Sequence, residues 1–178
     1  MDTYLDNSRK ASCTGCSACV HVCGKGAMHM EYDAEGFAYP VIDREKCVNC
    51  GLCRAVCPMT KDLLYPKVER VTGGYVNDRE VLEKSTSGGA FTALVKAWCT
   101  GSSYAVFGAA QTEKLTTEHR YITDLSDLDM LRKSKYDQSR IGTAYADCKR
   151  LLSEGRKVVF TGTPCQIAGL RAFLGDKE

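Results

Sequence analysis

The sequence has no uninterrupted apolar run of the ~18 residues that a membrane-crossing helix requires, so direct insertion into a bilayer is not expected. Its charges nearly cancel, with 24 basic and 22 acidic side chains giving a formal net charge of +2. No polyanion partner is implied, and nucleic acid is not an expected ligand. The first dozen residues, MDTYLDNSRKAS, are polar and lack the apolar core of an export signal. Neither the G-x-G-x-x-G fingerprint nor a P-loop occurs. The three histidines, His21, His29 and His119, show no partner pattern and are read as structural or surface residues. What the chain does have is cysteine: eleven, eight of them before residue 58. So many thiols without an export signal fit a reducing, cytoplasmic setting.

Those eight cysteines form two identical runs. Cys13, Cys16, Cys19 and Cys23 repeat as Cys47, Cys50, Cys53 and Cys57, each spaced C-x2-C-x2-C-x3-C and offset by 34 residues. Three thiolates on one tight loop can reach three corners of a cubane, and a fourth is carried away on the following helical turn. The spacing resembles that of the bacterial two-cluster ferredoxins, in which the fourth cysteine ligates the other cluster. The resemblance implies two 4Fe-4S clusters, one on Cys13, Cys16, Cys19 and Cys57 and one on Cys47, Cys50, Cys53 and Cys23. Zinc is the main alternative, because paired C-x2-C elements also build tetrahedral sulfur sites. Zinc knuckles, however, separate two pairs by a long loop, whereas here three cysteines crowd into seven residues. Proline follows Cys57, but Gly24 follows Cys23, which loosens the turn after the first run. His21 lies inside the first loop and is a candidate to tune its cluster by hydrogen bonding.

Around the runs, Ala27 to Tyr32 and Phe37 to Ile42 alternate as short strands flanking the turn formers Asp33 to Gly36, which predicts a hairpin. Residues 11 to 62 carry few apolar side chains and would depend on metal to fold. Lys61 to Lys67 reads as a linker. Beyond it, Val71 to Asn77 suggests a strand and Asp78 to Lys84 a helical turn. Phe91, Leu94, Val95 and Trp98 mark an amphipathic helix with Ser87 as its cap. Tyr104 to Ala110 reads as a buried strand and Leu115 to Thr123 as a more exposed one. Ser126 and Asp129 resemble a capping box; Ser134 to Ser139 reads as a polar loop. Ile141, Ala144, Tyr145, Cys148, Leu151 and Leu152 set a longer helix, Lys157 to Thr161 a strand, and Gln166 to Leu174 a last helix. Alternating helices and strands indicate an α/β layer. The chain stops at Glu178 where another strand is due, so a fragment of a longer protein is expected. The fold class is α+β, a small two-cluster domain over 1–66 followed by an incomplete α/β layered domain over 67–178.

Two glycine turns precede helix starts, Ser85 to Gly89 and Gly162 to Gln166, where unpaired peptide N–H groups suit an anionic group. On pattern alone an ordinary capped helix is the better account of each. Cys165 lies on a first helical turn behind Pro164, which favours thiolate and suits it to a cluster or a cofactor. Cys148 and Cys99 read as buried small hydrophobes.

The succession of the cysteine runs, STSGGAFTAL, SKYDQS and VVFTGTPCQIAGLRAFL resembles the coenzyme F420 hydrogenase/dehydrogenase beta-subunit family in its form with a fused N-terminal ferredoxin. That resemblance covers nearly all of the chain from Cys13, with GTPCQIAGL its most specific element. It implies an iron-sulfur flavoprotein oxidoreductase in which FAD exchanges electrons with the clusters and with coenzyme F420, a ferredoxin or another soluble carrier. It also implies a flavin region bordered by Ser87, Gly88 and Gly89, by Ser134, Lys135 and Tyr136, and by Gly162, Thr163, Pro164 and Cys165, with Cys165 a candidate additional cluster ligand. Two other readings stand beside it: a pure electron-transfer module that docks on a catalytic subunit, and a zinc-binding interaction module.

Overall fold

The computed structural model describes residues 7–60, 68–101 and 103–175. Mixed helices and small sheets make it an α+β protein, divided into two compact units. The first comprises Met1–Leu64 together with Thr163–Glu178, and the second Tyr65–Gly162.

The first unit is an internal repeat. After a 3-10 helix at Asn7–Ser12, the first cysteine loop enters helix α1, Ala18–Val22, and the second enters α2, Leu52–Val56. The two helices share the 34-residue offset of the cysteines, and so does the backbone that leads into them. Gly15 and Ser17 flank Cys16 with φ of 66° and 63°, and Asn49 and Gly51 flank Cys50 with φ of 54° and 76°. Paired left-handed residues curl the chain so that successive peptide N–H groups point to one side, a concavity suited to anionic sulfur. Each helix ends after little more than a turn, where the N–H of Cys23 bonds to Val20 O and that of Cys57 to Arg54 O.

Between the loops stand β1, Met28–Tyr32, and β2, Ala38–Ile42, antiparallel with Met28 opposite Ile42. Asp33 Oδ1 closes their turn by accepting from the N–H groups of Glu35 and Phe37. Lys10 anchors the hairpin to the 3-10 helix through Asp33 at 2.9 Å and the ring of Tyr39.

The unit is completed from far along the chain. Helix α6, Pro164–Leu174, packs against α1, α2 and the 3-10 turn at Pro58–Thr60. Its start is fixed by a capping box, in which Gln166 Oε1 accepts from the N–H of Thr163 at 2.9 Å, and by Pro164, whose missing N–H costs nothing in a first turn. Phe173 meets the His21 ring edge-on at 5.6 Å. The alternation of elements along the sequence assigns this helix to the second domain; its apolar face instead lies on the cysteine-rich unit.

The second unit holds a three-stranded sheet in the order β4-β3-β5, where β3 is Tyr104–Gln111, β4 Thr117–Ile122 and β5 Lys157–Phe160. β3 runs antiparallel to β4 and parallel to β5, the parallel link passing through α5, Ala144–Ser153. Strand alternation divides the core. Tyr104, Val106 and Ala110 pack with Val95, Cys99, Leu128 and Leu131. Phe107 belongs to an aromatic group in which Phe160 lies 5.1 Å from it, 5.2 Å from His119 and 5.9 Å from Tyr145.

Several expectations shift. No strand forms over Val71 to Asn77: Val71 is 87 % exposed, Gly73 and Gly74 interrupt the segment, and without a buried face β alternation stabilises nothing. The Val76 N–H donates to Gly88 O at 2.9 Å. Helix α4, Ala90–Trp98, is capped by Gly89 at φ 77° rather than by Ser87. Its inward stripe is Phe91, Thr92, Val95 and Cys99, which leaves Leu94 and Trp98 69 % and 60 % exposed. Asp124, not Ser126, caps the next segment, accepting from the Ser126 N–H, and that segment is a 3-10 helix, Leu125–Met130. The linker expected over Lys61 to Lys67 lies outside the described residues.

His119 is buried, with one ring nitrogen 2.9 Å from Thr161 O and the other 2.8 Å from Ser139 Oγ, and burial holds its pKa below the ordinary 6.5. An unfolded histidine takes up its proton at higher pH, so stability is complete above 6.5 and falls as pH drops, by at most about 1.4 kcal/mol per pH unit. His119→Gln should flatten that slope between pH 7 and 5 in urea unfolding followed by the fluorescence of Trp98, the sole tryptophan. Gly88→Ala would set a methyl 2.8 Å from Gly74 O and 3.2 Å from Tyr75 Cα, and should cost about 1–3 kcal/mol in the same assay.

Candidate metal centre

The repeated loops bring the eight cysteines into two groups. One cavity, of about 510 Å³, is lined by Cys13, Cys16, Cys19 and Cys57; another, of about 100 Å³, is lined by Cys23, Cys47, Cys50 and Cys53. Each therefore takes three cysteines from one run and the fourth from the other. The exchange follows from the short helices: α1 turns Cys23 away from its own loop, and α2 does the same with Cys57.

The sulfurs are supported by peptide groups. Ala27 N–H donates to Cys23 Sγ at 3.3 Å, and backbone bonds from Gly15 and Ala18 serve Cys13 and Cys16. These bonds favour thiolate, but burial outweighs them and pushes the Cys13 and Cys16 thiols up, as it does Cys53. Thiols in that state need a cation to hold their charge. Among the described residues no group of three His, Cys, Asp or Glu converges on a point where a single metal ion could sit. The four sulfurs of each group rim a cavity instead. Four thiol donors and N–H groups aimed at them match the donor set of a 4Fe-4S cubane.

The surroundings differ. Cys16, Cys19 and Cys57 are buried, whereas Cys50 is exposed. Cys165 stands in the first turn of α6 with Sγ 3.1 Å from Thr163 Oγ1, near enough to Cys16 for their charges to repel. His21 packs on Phe173, and His29 pairs with Glu31 at 2.7 Å on the surface. Cys148 is buried and its thiol is pushed up to about 11, and Cys99 is buried too; both are core residues.

In the second unit the other predicted positions partly assemble. Thr86 Oγ1 accepts from the Ser134 N–H at 3.0 Å, joining the loop of Ser87, Gly88 and Gly89 to that of Ser134, Lys135 and Tyr136. Lys135 Nζ turns back to the carbonyls of Met130 and Arg132, and its desolvation lowers its pKa; Tyr136 is exposed. Gly162 closes this unit, while Thr163, Pro164 and Cys165 belong to the other. The half-buried link from Thr117 to Asp137 and the buried one from His119 to Ser139 went unpredicted, because residues 20 apart share no pattern visible in sequence.

Two crossed groups of four thiols define the class: an electron-transferring iron-sulfur protein. Residues 12–61 match the model of a 4Fe-4S dicluster domain. A second model of the same description matches 39–103, overlapping the first, and residues 62–103 add only Cys99. An uncharacterized ferredoxin of Methanocaldococcus jannaschii is 36% identical over 55 residues, 31% of this chain and 70% of that protein. Through this unit the chain belongs to the dicluster ferredoxins. One subunit of an ion-translocating oxidoreductase complex of Methanosarcina acetivorans is 42% identical over 50 residues, 28% of this chain and 17% of that protein. One subunit of the F(420)H(2) dehydrogenase of Methanosarcina mazei is 23% identical over 172 residues, 89% of this chain and 47% of that protein. The chain thus spans less than half the length of either oxidoreductase subunit.

The exchange of fourth cysteines can be tested one ligand at a time. Cys57→Ser should perturb the same electron paramagnetic resonance signal as Cys13→Ser, although the two residues lie in different runs, and Cys23→Ser should perturb the signal that responds to Cys47→Ser.

Proposed function

We propose that the chain is the iron-sulfur portion of a flavin-dependent oxidoreductase, passing electrons between a soluble carrier and FAD through its two clusters. The observation that carries this reading is the 172-residue likeness to the F(420)H(2) dehydrogenase subunit, which extends past the cysteine runs through the second unit. When bound, the clusters supply one-electron chemistry at potentials set by burial and N–H···S bonds. The chain's own groups hold the thiolates, direct peptide N–H groups at them and bury one set. Coenzyme F420 or a ferredoxin is the proposed external donor or acceptor, and a cytoplasmic setting suits either. Among the described residues no helix is long and apolar enough to cross a membrane.

In this reading Ser87, Gly88 and Gly89, with Ser134, Lys135 and Tyr136, border the flavin. Support comes from the Thr86–Ser134 bond that joins their loops and from the closeness with which Gly88 meets Gly74 and Tyr75. Thr163, Pro164 and Cys165 take the part of cluster neighbours, with Cys165 set beside Cys16.

A second reading, a ferredoxin module serving a separate catalytic partner, is favoured by the likenesses to the ferredoxin and to the ion-translocating complex, which stop within 50 to 55 residues. Anaerobic purification decides between the two. Either reading gives about eight iron and little zinc per chain. The flavoprotein also shows flavin absorbance after reconstitution with FAD, which Gly88→Ala weakens; iron without flavin leaves the module, and zinc in place of iron overturns both.

A further inference from the structure

The two cysteine groups sit in unlike surroundings, and the difference assigns them unlike tasks. Cys16, Cys19 and Cys57 are buried, and α6 packs on α1, which carries Cys19, on the Pro58–Thr60 turn that follows Cys57, and on α2, which ends just before Cys57. The loop through Cys50 is open. Around it Val48 is 59 % and Leu52 50 % exposed, two apolar side chains on the rim of the smaller cavity.

Charge distinguishes the rims further. The residues lining the smaller cavity include Lys25 and Arg54 and no carboxylate. Lys46, next to Cys47, is neutralised by Asp43 at 2.6 Å, and exposed Glu45 lies outside the lining of that cavity. The larger cavity is balanced, with Lys10 and Arg44 against Glu31 and Asp33, and Lys10 is already bound to Asp33. An apolar contact ringed by unopposed positive charge is what a transient redox complex uses: charge steers the encounter, and a small apolar centre lets the centres approach.

We propose that Val48 and Leu52, flanked by Lys25 and Arg54, form the docking surface for an acidic one-electron carrier protein of the ferredoxin type, making the Cys47, Cys50, Cys53 and Cys23 group the outward port. The inference rests on the electron-transfer reading and adds the partner's charge and point of contact. In the forward direction the carrier gives one electron to the cluster at this port, so that its own centre is oxidised by one electron as the cluster is reduced by one. No bond forms and no proton need move; the reverse transfer uses the same contact. The Cys13, Cys16, Cys19 and Cys57 group is then the more enclosed of the two.

The test uses the full chain with its clusters loaded, an acidic two-cluster ferredoxin as probe, and affinity measured across a range of salt. The double variant Lys25→Glu with Arg54→Glu should weaken binding at least tenfold at low salt and flatten its salt dependence. Val48→Ser with Leu52→Ser should weaken binding while the salt dependence persists. Lys114→Glu, on an exposed turn of the second unit, should change neither. Iron content and paramagnetic signals like those of the parent separate lost docking from lost clusters. Unchanged affinity in both double variants, or equal loss in Lys114→Glu, overturns the proposed port. A parent chain that holds no iron overturns the electron-transfer reading instead.

Discussion

The cysteine-rich unit depends on bringing four sulfurs to one place from two loops 34 residues apart, twice over. Three of each four are local and need only a tight curl of backbone. The fourth must come from the other run, so neither group can be assembled without the other. That makes the unit cooperative in a way its apolar content could not. Burying the thiols raises the cost of their charge, and metal in the cavities offsets that cost, so folding and cluster binding are one process.

The curl has its own requirement. Left-handed backbone on both sides of Cys16 and of Cys50 is easy for Gly15 and Gly51 and tolerable for Asn49, while Ser17 adopts it at some strain. Ser17 Oγ reaches Gly15 O only at 3.4 Å, a weak bond. The tight turn around Cys16 is thus held by its surroundings, with Ala18 and Cys19 buried beneath it. The turn around Cys50 has glycine where the first has serine, and it stands exposed. The same local geometry is secured by packing in one copy and by residue type in the other.

The ferredoxin half was legible because its chemistry fixes spacing. Cysteine positions, the Asp33 to Gly36 turn and the period-two strands are all local signals, and local signals survive the absence of tertiary information. The rest was legible in proportion to how local it was. β3 was plain from its continuous apolar run, and α5 from the helical spacing of Ala144, Tyr145, Cys148 and Leu151. The strand expected over Val71 to Asn77 dissolved because only packing could have stabilised it. The inward stripe of α4 was misjudged because Phe91, Leu94, Val95 and Trp98 fit helical spacing as well as Phe91, Thr92, Val95 and Cys99 do, and hydrophobicity favours the wrong set. Helix α6 was read correctly as a helix and placed in the wrong unit. Nothing in Ile167, Leu170 or Phe173 says which surface they will cover.

The return of α6 has a physical consequence for the cluster it approaches. Its first turn puts Cys165 beside Cys16, and that turn is held by the capping box, Pro164 and the burial of Gln166. Covering one cysteine group with a helix removes water from it, and lower local dielectric disfavours the more highly charged, reduced form of an anionic centre. The exposed group keeps its water and has cations on its rim, both of which favour reduction. Identical ligand sets in one small unit are thereby given unlike environments by a segment more than 100 residues away in sequence.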